Sequence, residues 1–233
     1  MTPKLTIRSF TNDQYCLDKV FYSNFYRMKG FKEVDKKPVV MDIGAHCGYF
    51  TFAALSLGAK KVYAFEPFAP NYNILMANVG YNPMGSPFAV ITQQLGVYVA
   101  PIALTFGYPE LLNQSYFDYA NVGMDTNPTS AEFCKCCMLT LDTLLEHYVG
   151  EQVDIMKLSI GYAEMVIIES STLIKDRVHN LCGEIALDDA GIAKFKSILG
   201  VKGFIDTQLF PVEGEEGKWL FHSSKKDRKE AFN

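Results

Sequence analysis

Residues 39–50 read V-V-M-D-I-G-A-H-C-G-Y-F, and residues 60–66 read K-K-V-Y-A-F-E. The first run is apolar and β-branched until Asp42, then breaks into a turn carrying Gly44 and Gly48. Such a run, bounded by a glycine turn, predicts a strand buried in a parallel sheet that delivers one carboxylate to its carboxyl edge. The two glycines permit backbone conformations and a close ligand approach that a side chain would block. Residues 49–57 continue as an apolar helix ended by Gly58, and the next strand leads to Glu66. Asp42 and Glu66 then end adjacent parallel strands, one beside a backbone cradle and the other where a ribose would lie.

The spacing disfavours two familiar glycine turns. A dinucleotide fingerprint needs G-x-G-x-x-G, whereas here an acid stands two residues before Gly44 and His46 takes the middle position. No G-x-x-x-x-G-K-[ST] occurs, which argues against a phosphate-cradling nucleotide hydrolase. A helix opening at the turn points amides at whatever sits above the sheet. An acid at the head of the turn suits a cofactor with an amino group and a sulfonium charge, and S-adenosylmethionine is one.

Four stretches, in order, resemble the FkbM family of S-adenosylmethionine-dependent methyltransferases. They are D-I-G-A-H-C-G-Y-F at 42–50, A-F-E-P-F-A-P-N-Y-N-I-L-M-A-N-V at 64–79, L-T-L-D-T-L-L at 139–145 and V-D-I-M-K-L-S-I-G-Y-A-E at 153–164. The likeness covers residues 38–205. It implies an α/β, Rossmann-like class I methyltransferase: a mostly parallel seven-stranded sheet with an antiparallel C-terminal edge pair and helices on both faces. It also implies methyl transfer from S-adenosylmethionine to a hydroxyl of a sugar or other small acceptor. By position, Asp42, Gly44, Ala45 and Gly48 match the family's cofactor loop, and Glu66 matches the acid that holds the ribose hydroxyls. Pro67 and Asn71 complete that second motif. Gln94 and Leu95, within I-T-Q-Q-L-G at 91–96, fall at the adenine edge.

The largest departure lies at 157–164, K-L-S-I-G-Y-A-E, where members of the family read K-I-D-V-E-G-A-E. Lys157 and Glu164 are kept, while Ser159 and Gly161 replace the two inner acids. An Asp at a strand end can orient a nucleophile or accept its proton, whereas Ser159 only hydrogen-bonds. Lys157, Glu164 and His46 are therefore the candidates for positioning the acceptor and removing its proton, and Ser159 is counted with the cofactor contacts. Each has a structural counter-reading. His46 is otherwise a turn residue whose ring packs on the helix, Lys157 a strand-end surface residue, and Glu164 a cap or ion-pair partner of its helix. Two rival functions follow: a cofactor-binding protein without turnover, favoured by the lost acids, and an N- or nucleic-acid methyltransferase, which predicts a basic surface beside the pocket.

Composition bounds these readings. With 233 residues, 48% of them hydrophobic, the chain suits a single α/β domain. Its formal charge of −4 argues against a general polyanion-binding surface. No run approaches the roughly 18 uninterrupted apolar residues of a membrane span. Residues 1–18 are polar and mixed, which predicts a cytoplasmic setting. The six cysteines are then expected to be mostly free thiols, and Cys134, Cys136 and Cys137 lack a second pair at zinc-like spacing, so no metal is expected.

The rest of the chain reads as strand–helix alternation. Residues 1–37 form an N-terminal cap containing a helix over 12–28. Helices are expected at 70–79, from Thr140 onward, at 163–174 and at 189–199. Strands are expected at 88–93, 153–158, 181–187, 204–210 and 218–222. Residues 97–138, with Tyr98, Phe106, Tyr108, Tyr116 and Tyr119, interrupt the alternation and read as a substrate lid, or else as a hairpin with ordinary aromatic packing. Residues 223–233 read as a charged tail.

Overall fold

Strand β1 (Val39–Ile43) is buried along its whole length, as its unbroken apolar run requires. The computed structural model describes residues 2–9, 11, 13–23, 25–26, 37–86, 89–108, 132–161 and 163–225, without the side chains of 104–108 and 132–135. Helix α1 (Asp13–Phe21) precedes β1. There follow α2 (Tyr49–Ser56), β2 (Lys61–Phe65), α3 (Ala69–Tyr81), β3 (Val90–Gln93), β4 (Gly96–Val97), β5 (Ile102–Tyr108), β6 (Glu132–Leu139) and α4 (Leu141–Thr143). The last elements are β7 (Val153–Leu158), α5 (Glu164–Ser170), α6 (Ile174–Arg177), β8 (Val178–Ala186), α7 (Asp189–Val201), β9 (Asp206–Pro211) and β10 (Lys218–Ser224).

Seven strands form one sheet in the order β3-β2-β1-β7-β8-β10-β9. The first five are mutually parallel, and β10 runs antiparallel to both β8 and β9. This is the Rossmann-like class I plan with its antiparallel edge pair. The chain builds outward from β1 in both directions, so the carboxyl ends of β1 and β7 bound a topological switch point, where open α/β sheets take their ligands. Ile43 pairs with Phe65 and with Leu158, and Leu158 pairs with Gly183. Gly44, Glu66, Ser159 and Glu184 consequently follow at one level along the carboxyl rim.

Alternation along the strands splits the core between two faces. Met41, Ile43, Phe65, Met156, Leu158 and Leu181 pack with α5 and α7 residues such as Ile167, Ile168, Phe195 and Leu199. Val40, Val62, Ile155 and Cys182 pack with Val20, Tyr49, Phe50 and Ala53 from α1 and α2. Among the described residues, no helix is long and apolar enough to cross a membrane.

Several elements depart from the sequence reading for local reasons. The helix expected over 12–28 spans Asp13–Phe21. Thr140 caps α4 as expected, accepting from the Thr143 amide at 3.1 Å, but the chain then winds as a π-helix over Leu144–Val149, closed by Gly150 at φ 67°. The single helix expected over 163–174 divides at Ser171, whose ψ of 128° is extended. Asp142 enforces the break: its carboxylate accepts from the Ser171 hydroxyl and from the Thr172 and Leu173 amides, the latter two at 2.9 and 3.1 Å. Asp142→Ala is expected to cost about 1–3 kcal/mol, because these donors lose their partner. A lower urea midpoint with an unchanged slope would report it.

Strand β8 begins three positions before its expected start, and β10 runs through Ser223 and Ser224, two residues assigned above to the tail. Residues 226–233 lie outside the described residues. Within 97–138, β6 pairs parallel with β4 and antiparallel with β5 in a separate three-stranded sheet. Its root stands on the rim: Cys136 Sγ donates to the Pro67 carbonyl at 3.0 Å, and a Cβ on Gly96 would come within 3.1 Å of Pro67 Cβ. Residues 109–131, including Tyr116 and Tyr119, lie outside the described residues, and so does the body of the expected lid.

Candidate functional site

The turn between β1 and α2 is held in shape by the protein itself. Gly44 (φ 76°), His46 (φ 54°) and Gly48 (φ 89°) all occupy the left-handed region. A Cβ on Gly44 would lie 2.1 Å from the Ser159 carbonyl oxygen, so glycine is required by the close passage of the chain after β7. The amides of Gly44 and Ala45 both donate to the Phe65 carbonyl at 3.0 Å, and that of Gly48 donates to Ala45 at 2.8 Å. The His46 amide donates to Glu66 Oε2 at 2.8 Å. The amides expected to point at a ligand are, at 44, 45, 46 and 48, bonded within the chain.

The two strand-end acids occupy different environments. Asp42 is wholly buried; Oδ2 accepts from Thr51 Oγ1 at 2.7 Å and Oδ1 lies 3.1 Å from Lys157 Nζ. Lys157 is also buried and donates to the carbonyls of Gly44 at 2.6 Å and Ile43 at 3.3 Å. Lys157 is thus tied to Asp42 as an ion pair and to the turn above it by two hydrogen bonds. Glu66, at the rim, is buried but reaches upward: besides His46, its Oε1 accepts from the Phe68 amide at 3.1 Å. Burial raises the Glu66 carboxyl above its ordinary range, against the opposing pull of those two amides. Asn71, at the start of α3, is 3% exposed, and its Oδ1 is buried without a hydrogen-bond partner among the described residues.

Pro67 follows Glu66 at the foot of the small sheet. Gln94 is exposed and Leu95 half-buried, one strand further along the rim after β3. On the other side of the turn, Ser159 is half-buried; its amide donates to Ile43 at 3.2 Å. Glu164 is 1% exposed. Its Oε1 accepts from the Ile160 and Gly161 amides, both at 2.8 Å, so it does close the β7–α5 turn, while Oε2 is buried and unpartnered among the described residues. Burial raises this carboxyl, and nearby Glu184 adds to the shift.

His46 turns its ring toward the N-terminal segment. Its Nε2 lies 3.4 Å from Arg8 Nη2 and 3.8 Å from Asp13 Oδ1, and the ring tilts against Tyr49. Burial lowers its pKa to about 3, with Arg8 and Lys157 adding to the effect and Asp13 opposing it, so the imidazole is neutral near pH 7. The segment that carries Arg8 is pinned to α3, the Lys4 amide donating to Asn82 and the Thr6 amide to Asn78 at 2.7 and 2.8 Å.

The geometry thus gathers Gly44, Ala45, His46, Gly48, Glu66, Pro67 and Asn71 around the ends of β1 and β2. Ser159 and Glu164 stand across the switch point, and Asp42 and Lys157 lie beneath the turn. Sequence reasoning missed Thr51, the Arg8–Asp13 pair and a further rim group. In that group Glu184 accepts from Tyr26 Oη at 2.9 Å and pairs with Lys19 at 2.9 Å and Lys218 at 3.2 Å. Burial would raise the Glu184 carboxyl, but the two lysines outweigh it and hold it below its ordinary value. Only Thr51 had a local signal, as a hydroxyl on the first turn of the helix that follows Asp42.

The profile of the methyltransferase FkbM domain matches residues 42–199. No curated protein sequence matches the chain. Among solved structures, the chain superposes on the methyltransferase domain of METTL16 with a TM-score of 0.52 at 12% identity, covering 90% of this chain and 65% of that one. It superposes on TrmK of M. capricolum, solved with S-adenosylhomocysteine, with a TM-score of 0.50 at 10% identity, covering 87% and 68%. At such identities the likeness is one of fold.

Proposed function

The chain belongs to the FkbM methyltransferase domain family, and from that premise we propose that it transfers a methyl group from S-adenosylmethionine to a hydroxyl of a sugar or other small acceptor. The observation that carries this reading is the rim acid Glu66 beside Asn71, whose Oδ1 is a buried acceptor without a partner among the described residues. Two ribose hydroxyls are donors that would satisfy these acceptors. Pro67 borders the same subsite, Gln94 and Leu95 border the adenine, and Gly44, Ala45 and Gly48 shape the turn beside the methionine portion. Asp42 acts on that turn from below, through Lys157.

Bound S-adenosylmethionine brings a methyl group already activated on a sulfonium, which leaves the protein to align the acceptor, exclude water and remove one proton. Glu164 Oε2 is the group proposed to take that proton. It is unpartnered among the described residues, and a carboxyl whose proton affinity is raised by burial is the stronger base. Ser159 then needs only to hydrogen-bond, and Lys157, tied to Asp42 and to the turn, is a positioning residue. The small sheet rooted on Pro67 covers the acceptor.

Calorimetric titration with S-adenosylhomocysteine tests the reading. The wild type is expected to bind, and Glu66→Ala to bind about 10- to 100-fold more weakly, in keeping with the loss of hydrogen bonds to a charged group. Absence of binding by the wild type, or an unchanged affinity in the variant, would overturn it.

A further inference from the structure

The glycine turn meets the N-terminal segment in a cluster that the proposed methyl transfer does not use. Arg8 Nη2 lies 2.8 Å from Asp13 Oδ1, 3.2 Å from Cys47 Sγ and 3.4 Å from His46 Nε2. A second Arg8 nitrogen, Nε, donates to Asp13 Oδ2 at 2.8 Å. One donor atom from each of Asp13, His46 and Cys47 lies within 4.8 Å of the other two. Asp13 and Cys47 have no exposed surface.

Arginine has no acceptor, so the lone pairs of Nε2, Sγ and the carboxylate all face its guanidinium. Those are the lone pairs a metal ion would use. One carboxylate oxygen, one imidazole nitrogen and one thiol sulfur make a borderline-soft donor set that suits tetrahedral Zn²⁺, leaving a fourth position for water. Of the cysteines singled out by their spacing, Cys136 donates to the Pro67 carbonyl and Cys137 is exposed, while the Cys134 side chain lies outside the described residues.

We propose that Asp13, His46 and Cys47 form a Zn²⁺ site whose resident cation is the Arg8 guanidinium, which the metal displaces on entering. The Cys47 proton passes to solvent as the zinc–sulfur bond forms, while neutral His46 and ionised Asp13 bind as they stand. The ion joins Asp13 of α1 to two residues of the glycine turn, so its occupancy fastens the N-terminal segment across the turn. Binding to the folded chain alone raises stability by mass action.

Titration of the full-length protein with Co²⁺ tests this. A sulfur-to-cobalt charge-transfer band in the near ultraviolet is expected, bleached by Zn²⁺ and lost in Cys47→Ser. Arg8→Gln, which removes the competing cation, is expected to tighten Zn²⁺ binding by about tenfold or more. No band in the wild type, or a band that survives Cys47→Ser, would overturn the proposal. Should Cys47→Ser fail to fold, Arg8→Gln decides: an unchanged Zn²⁺ affinity would also overturn it. None of these readouts depends on methyl transfer, so the site stands or falls separately from the acceptor assignment.

Discussion

Lys157→Met is expected to destabilise the protein by about 3–5 kcal/mol, because it strands the Asp42 carboxylate in the core with no compensating charge. For a domain of this size the melting temperature should fall by roughly 6–20 °C. The cause is specific. Asp42 has no exposed surface, and its remaining partner among the described residues is the Thr51 hydroxyl, which cannot neutralise it. Asp42→Leu placed on top of Lys157→Met should recover most of the loss, since an apolar pair of similar volume often replaces a buried ion pair without penalty. The Gly44 carbonyl would still lack its 2.6 Å donor, so affinity for S-adenosylhomocysteine should remain reduced after stability returns. A single variant that melts with the wild type would show that the Asp42–Lys157 pair does not stabilise the core.

Glu164→Gln is expected to lower turnover by about 10²–10⁴-fold, the usual contribution of a positioned base. The measurement is release of S-adenosylhomocysteine with a panel of hydroxylated acceptors. The amide oxygen of glutamine can still accept from Ile160 and Gly161, so the β7–α5 turn should survive and affinity for S-adenosylhomocysteine should barely move. Burial raises the Glu164 carboxyl above 4.5, and the base must be ionised. The acidic limb of the rate profile should therefore lie above that value in the wild type. The sign for stability is the reverse. Folded Glu164 holds its proton more tightly than the unfolded chain does, so its contribution is present at low pH and is lost as pH rises through the raised value. The glutamine variant should lose that part of the pH dependence. Turnover unaffected by the substitution would remove Glu164 from the chemistry.

The fold was legible wherever the relevant physics is local. The 39–43 run, the glycine turn and the 60–65 run each carry their own pattern, and the order of strands and helices follows from repeating it. What escaped was the direction in which side chains act. Asp42 follows Val40 onto the α1–α2 face of the sheet, a parity contained in the alternation, yet its proximity to the turn in sequence invites a ligand role. Lys157 sits directly across from it by register, 115 positions later in the chain, and no local pattern announces that pairing. Arg8 with His46, and Tyr26 with Glu184, are likewise contacts created by tertiary packing. The π-wound turn after α4 escaped for a different reason: a one-residue change in helical period leaves the apolar spacing of Leu141, Leu144 and Leu145 almost unaltered.

The internally bonded turn between β1 and α2 has a thermodynamic corollary. Three left-handed residues, a sealed ion pair below and an acid fastening His46 from the side mean that the chain has already surrendered its freedom there during folding. A ligand arriving at this bend meets a finished surface and need not freeze a mobile backbone, so its binding enthalpy is offset by little ordering entropy.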